Sequence, residues 1–237
     1  MPAPESISIP KQFNGPLDSG NGGYSSGVVA SFVEGVTEVS LRAPVPLDTP
    51  LDLERRSADV LRVLDGEVLI AEAHSIADIE AEVPQPVSPR EARQATGRYR
   101  GLADGLFSRC FVCGRAREDA LGVFAGQVEG RELVASPWTP PPWTADDAGR
   151  VRPEFVWAVL DCPTYFALYL DRELPMSVLG RLAARLDRPV LAGEQHVVVA
   201  WPIEFDGRKH HAGAAVLGAD GETLAVARAL LIAQPKS

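Results

Sequence analysis

Hydrophobic and polar positions alternate along most of this chain, in short runs closed by turn-forming pairs. Period-two alternation with β-branched residues predicts strands over 37–43, 51–64 and 68–75, with Asp65-Gly66 as a hairpin turn. The same reading predicts strands over 121–128 and 133–137, joined at Glu129-Gly130. Further strands are predicted over 177–185, 195–205, 211–217 and 223–232, the last two joined at Asp220-Gly221. Residues 5–13 form a further short strand, followed by a turn-rich loop over 14–23. Two segments break the alternation. Residues 22–34 read as a helix capped by Asn21, with Ser25 and Gly27 making it intrinsically weak. Residues 153–170 read as an apolar helix with Pro153 in its first turn.

Both halves therefore run strand, loop, apolar helix and then antiparallel strands. Residues 1–82 form the first half and 108–237 the second. Residues 83–107 read as a linker or crossover, with a short helix near 89–96. At 237 residues and 46% hydrophobic composition, the chain can bury a substantial core.

Charge narrows the function classes. Basic residues number 23 and acidic ones 32, a net charge of −9. That balance argues against a nucleic-acid or anionic-membrane binder, since both need a cationic surface. No run of about 18 apolar residues is present to span a membrane. The start of the chain lacks the pattern of a secretory leader, so a cytoplasmic protein is expected. Three cysteines do not suit a disulfide scaffold.

Four stretches resemble one family: Phe13-Asn14-Gly15-Pro16 with Gly22-Gly23-Tyr24; Leu41-Arg42-Ala43-Pro44-Val45-Pro46; Cys110-Phe111-Val112-Cys113-Gly114; and Val159-Leu160-Asp161. Taken in that order they resemble the hotdog-fold acyl-CoA thioesterases, including the phenylacetate-pathway type. The resemblance implies an α+β tandem double hotdog, with antiparallel sheets each wrapping a central helix. It implies an acyl-CoA or other acyl thioester as partner, no cofactor, and a possible homodimer.

The strongest chemical candidate is Asp161, set among Phe155, Val156, Trp157, Val159 and Leu160. An apolar helix rarely carries a carboxylate without a partner or a task. The resemblance assigns it the role of nucleophile or of general base for water. The other reading is a structural acid paired with an arginine or a free carbonyl. Gly22 and Gly23 open the first helix, where free amides and the helix dipole suit a developing oxyanion. The resemblance makes Gly23 the oxyanion donor, and Asn21 stands where the family often has His. Asn21, Gly22, Tyr24, Ser25 and Trp157 are the expected substrate contacts. Turn and cap chemistry is the plainer role for Asn14, Asp18, Tyr24 and Ser25.

Eight residues after Gly22 stands Ala30, and eight before Asp161 stands Pro153. One segment has glycine amides without an acid, and the other an acid without glycine amides. A single productive site per chain follows if the two helices meet.

The remaining signals are weaker. Cys110-x-x-Cys113 has no second cysteine pair, and the four histidines show no ligand spacing to it, so no metal site is expected. Cys162 reads as core packing. Arg208-Lys209-His210-His211 reads as a charged hairpin tip or a contact for coenzyme A phosphates. The stretch 137–143 reads as a lid over an acyl pocket or as a surface loop packing two tryptophans. A non-catalytic acyl-binding protein is the alternative to a hydrolase. A hydratase is a third reading, but the Asp and His that branch places in one short loop are missing at both helix starts.

Overall fold

The computed structural model describes residues 6–101, 105, 107–170 and 172–235. The order of elements is β1 (Ser6–Ile7), α1 (Gly22–Ala30), β2 (Val36–Leu41), β3 (Leu51–Ser57), β4 (Val60–Asp65), β5 (Val68–Ile76), α2 (Pro89–Thr96), β6 (Gly126–Gln127), β7 (Val134–Trp138), α3 (Pro153–Leu168), β8 (Ser177–Leu186), β9 (His196–Asp206), β10 (Lys209–Leu217) and β11 (Thr223–Ala233).

These strands make one 11-stranded sheet in the order β1-β3-β4-β5-β2-β8-β11-β10-β9-β7-β6. Every ladder is antiparallel. The two halves have the same topology: β1-β3-β4-β5-β2 corresponds strand for strand to β7-β9-β10-β11-β8. The corresponding strands β2 and β8 pair with each other at the centre, from Thr37 opposite Ala184 to Ser40 opposite Arg181. That ladder makes the sheet continuous across the halves, with no exposed edge between them.

α1 and α3 are buried on nearly all faces. This explains why neither segment shows a clean amphipathic stripe, since a helix covered all round needs no polar face. The two helices pack against each other in opposite directions. A Cβ on Gly23 would lie 2.6 Å from the Trp157 carbonyl oxygen and 3.0 Å from Ala158 Cα. A Cβ on Gly27 would lie 2.7 Å from Glu154 Cα. Gly23 and Gly27 are four residues apart, so they share one helix face. Their missing side chains let the backbones meet.

The second surface of the sheet carries a smaller core. α2 starts with a capping box, Ser88 with Glu91. It packs Ala92 and Ala95 with Val128, Leu133, Val197, Val199 and Trp201. The segment expected to be a linker thus carries a packed helix. Its few apolar residues are small, which hid them from a pattern search. Residues 102–104 and 106 of that segment, and residue 5 of the first expected strand, lie outside the described residues.

Four boundaries differ from expectation. The segment expected as one strand over 51–64 is instead the β3–β4 hairpin, which turns at 58–59, where Asp59 N–H donates to Ser57 Oγ at 3.3 Å. The strand expected over 5–13 forms a ladder only at Ser6–Ile7, with an isolated parallel bridge from Ile9 to Leu47, and Lys11–Phe13 form a 3-10 turn after Pro10. α1 ends at Ala30, and the chain reverses at Gly35, whose φ is +84°. The strand expected over 121–128 joins the sheet only at Gly126–Gln127. Its earlier amides are spent elsewhere: Leu121 N–H donates to the Phe111 carbonyl and Val123 N–H to that of Val112, at 2.8 and 3.1 Å.

The helix contact yields a direct stability test. Alanine in place of glycine inside a helix would ordinarily stabilise it by about 1 kcal/mol. Here overpacking against α3 dominates, so Gly27→Ala is expected to destabilise the fold by roughly 1–3 kcal/mol. Urea denaturation measures this, and a midpoint at or above wild type would disprove the close approach.

Candidate active site

The start of α1 meets the middle of α3. The Asn21 side chain caps α1, its Oδ1 accepting from Tyr24 N–H at 2.9 Å. That cap sets the direction of the first helical amides. Gly23 N–H donates to Asp161 Oδ2 at 2.8 Å. Gly22 lies beside the same oxygen, since a Cβ there would sit 3.3 Å from Asp161 Oδ2. The two segments that carry the candidate glycine amides and the candidate acid are therefore brought together, and among the described residues no arginine pairs with the Asp161 carboxylate.

Asp161 is only 8% exposed. Burial pushes its pKa up to about 7; the Gly23 amide opposes that rise, and Cys110 adds to it. Thr164 Oγ1 donates to the Asp161 carbonyl at 2.6 Å. Pro163 stands inside α3 and has no amide to donate, which leaves the Val159 carbonyl without its helical partner.

The other expected contacts divide. Trp157 touches α1 through its carbonyl at Gly23 and its ring at Gly27. Tyr24 is buried in an aromatic group, its ring stacked on Phe13 at 4.2 Å and tilted against Phe155 at 5.5 Å. Burial pushes its hydroxyl up to about 12, with Glu154 adding to the rise. Ser25 Oγ is buried without a hydrogen-bond partner and faces the apolar side chains of Ile9, Val45 and Leu51. Tyr24 N–H is thus taken by the Asn21 cap, and Ser25 lines a different space. Asn14 is held by carbonyls of Gly15, Pro16 and Arg109, and Asp18 is exposed.

A cavity of about 420 Å³ opens at the other end of the helix pair. It is lined by Ala30, Val36, Pro153, Trp157, Arg185 and Leu186, among others. This is the topological counterpart of the Gly22–Asp161 end, with Ala30 in the acid's place and Pro153 in the glycine's. Glu154 there pairs with Arg152 at 3.4 Å. The acid and this cavity thus belong to opposite ends.

The structure also assembles a group that sequence spacing left apart. The sulfurs of Cys110, Cys113 and Cys162 all lie within 4.8 Å of one another. Contacts from the other two thiols hold Cys110 well below its ordinary range, and the reciprocal contacts push Cys113 and Cys162 up. The Cys-x-x-Cys pair was visible in the sequence, but Cys162 carried no spacing signal. The basic cluster forms the β9–β10 hairpin, where Arg208 Nε donates to the Ala233 carbonyl and the buried His210 ring meets the Gly207 carbonyl. In the stretch 137–143, Trp138 is buried in β7, and the half-exposed Trp143 packs edge-on against Phe155.

With this geometry in hand, comparison with solved structures defines the fold class. The chain has the hotdog fold. It superposes on a hotdog-fold protein of unknown function from Alicyclobacillus acidocaldarius with a TM-score of 0.59, at 12% identity, over 98% of this chain and 93% of that one. A TesB protein of Mycobacterium avium subspecies paratuberculosis is similar with a TM-score of 0.57, at 12% identity, over 99% of this chain and 91% of that one. A protein described as a candidate thioesterase II from Thermobifida fusca YX gives 0.60 at 11% identity, over 97% and 93%. No family model matches the chain, and no curated protein matches it. No helix among the described residues is long and apolar enough to cross a membrane.

Because Asn21 caps the helix that carries the Gly23 amide, Asn21→Ala is expected to lower stability by about 1 kcal/mol. Chemical denaturation reads the loss directly. A variant as stable as wild type would mean that the cap contributes nothing to holding this end of α1.

Proposed function

We propose that this chain is a tandem double hotdog that hydrolyses an acyl thioester, such as an acyl-CoA, at the Gly22–Asp161 junction. The halves are residues 1–82 and 108–237, linked by 83–107. The matching strand orders of the two halves support the tandem arrangement. The observation that carries the chemistry is the 2.8 Å hydrogen bond from Gly23 N–H to Asp161 Oδ2 inside a buried helix–helix contact.

In this reading, Asp161 accepts a proton from water as the water oxygen attacks the acyl carbon. Amides at the start of α1 receive the carbonyl oxygen as it becomes negative. The carbon–sulfur bond then breaks, and the proton passes to the departing thiolate. In the free protein Gly23 N–H is engaged by the carboxylate, so the incoming carbonyl takes over that donor. Leu179 covers Gly22, its Cδ2 2.8 Å from where a Cβ would stand, and swings aside as the carbonyl enters.

Replacing Asp161 with Asn is expected to lower turnover by at least about 100-fold, the usual scale for a lost general base, while substrate still binds. Free-thiol release from a panel of acyl-CoA esters measures the rate, and ligand-induced thermal shift measures binding. Unchanged turnover would remove Asp161 from the reaction.

A second reading, a non-catalytic acyl-binding protein, is favoured by one observation. The cavity of about 420 Å³, lined by Ala30 and Trp157, has no Asp161 in its wall. For that reading, binding without thiol release across the whole ester panel is the expected result. Blocking the cavity with Ala30→Trp would then abolish binding.

A further inference from the structure

Outside the proposed hydrolytic site, three sulfurs from two distant parts of the chain converge. Cys110 and Cys113 lie on a loop, and Cys162 comes from the middle of α3. The loop is pinned on every side. Phe111 N–H donates to the Asn14 carbonyl at 2.9 Å, and Gly114 N–H to the Cys110 carbonyl at 2.8 Å. Tyr99 hydroxyl donates to the Cys113 carbonyl at 2.7 Å. Gly114 is required by this tight return, since a Cβ would fall 2.5 Å from the Cys110 carbonyl oxygen.

Buried cysteines are often small apolar core residues. Here the surrounding donors argue otherwise. The Asn21 side chain is oriented by its cap, because its Oδ1 must face Tyr24 N–H. Its Nδ2 therefore points at sulfur, 3.5 Å from Cys162 Sγ and 3.7 Å from Cys110 Sγ. Val112 N–H donates to Cys110 Sγ at 3.4 Å. A neutral thiol is a weak acceptor, so committing a buried amide and a backbone N–H to it gains little. The same donors suit thiolate sulfur, the form that ligates a metal.

Spacing agrees. Zinc–sulfur bonds of about 2.3 Å at tetrahedral angles place sulfurs about 3.8 Å apart. Cys110 and Cys162 sulfurs are 3.7 Å apart. A Cys-x-x-Cys loop with a third cysteine from elsewhere is a soft, all-sulfur donor set, which selects thiophilic cations over magnesium or calcium.

We propose that Cys110, Cys113 and Cys162 form a three-thiolate site for zinc(II). Asn21 and Val112 donate N–H groups to the bound sulfurs, and the fourth coordination position is left to an exogenous ligand. Binding displaces the thiol protons to solvent and breaks no covalent bond to carbon. The metal ties the 108–114 loop to α3, one residue from Asp161 and next to the cap of α1. The site is independent of the hydrolase reading and stands or falls by metal binding alone.

The test uses the full chain, reduced and freed of metal, titrated with zinc(II) against a chromogenic chelator. A single tight zinc ion per chain is expected, together with protection of all three thiols from a thiol-modifying reagent until a strong chelator is added. Cobalt(II) in place of zinc should produce the sulfur-to-metal charge-transfer absorption of thiolate ligation. Cys113→Ser and Cys162→Ser should each weaken zinc binding roughly tenfold or more, with far-UV circular dichroism reporting whether each variant is folded. Should either variant fail to fold, the cobalt spectrum and thiol protection of the wild-type chain decide the matter. The proposal is overturned by lack of stoichiometric zinc uptake, by a cobalt spectrum without thiolate charge transfer, or by uptake unchanged in the folded cysteine variants.

Discussion

The backbone contact between α1 and α3 is the constraint on which the rest of this molecule depends. Gly23 and Gly27 put no side chain between the helices, so the Trp157 carbonyl and the Glu154 and Ala158 backbone come within touching distance. Only at that separation does the Gly23 amide reach the Asp161 carboxylate. A buried carboxylate needs such a partner, because desolvation penalises its charge. The helix pair and the acid are thus one problem with one solution.

The two halves share a strand order but differ chemically at the helix ends. Where the first half offers glycine amides, the second begins α3 at Pro153, which has no N–H to give. Where the second half carries Asp161, the first carries Ala30. The consequence is two unlike ends: one with an acid held by an amide, the other with an open, mostly apolar cavity and an Arg152–Glu154 pair. The β2–β8 ladder holds these ends in fixed relation through backbone hydrogen bonds, to which Arg181 adds an ion pair with Glu38 at 3.4 Å and a hydrogen bond to Ser40 Oγ at 3.2 Å.

A third feature depends on loops rather than helices. The segments around residues 13–21 and 108–117 are stitched together by Phe111 N–H to the Asn14 carbonyl and by Arg117 to Asn14 and the Gln12 carbonyl. This brings Asn21 beneath Cys110 and lets one amide side chain serve two ends: its oxygen caps α1 and its nitrogen faces the sulfurs.

Most of the strand pattern was legible in the sequence because β-branched runs closed by turn-forming pairs report directly on antiparallel strands. The turns at Asp65-Gly66 and Asp220-Gly221 were legible too: both glycines adopt positive φ, +57° and +83°. The cap at Asn21, the short helix at 89–96 and the candidate acid at Asp161 also followed from local chemistry. The packing of α2, the loss of the ladder over 121–125 and the meeting of Cys162 with Cys110 and Cys113 did not. Each of these depends on which distant backbone a segment meets, and linear spacing carries no record of that. Local propensities and periodicity determined what each segment of this protein would be. Tertiary structure decided what each would touch, because contacts such as Gly23 with Asp161 form only where the two halves close on each other.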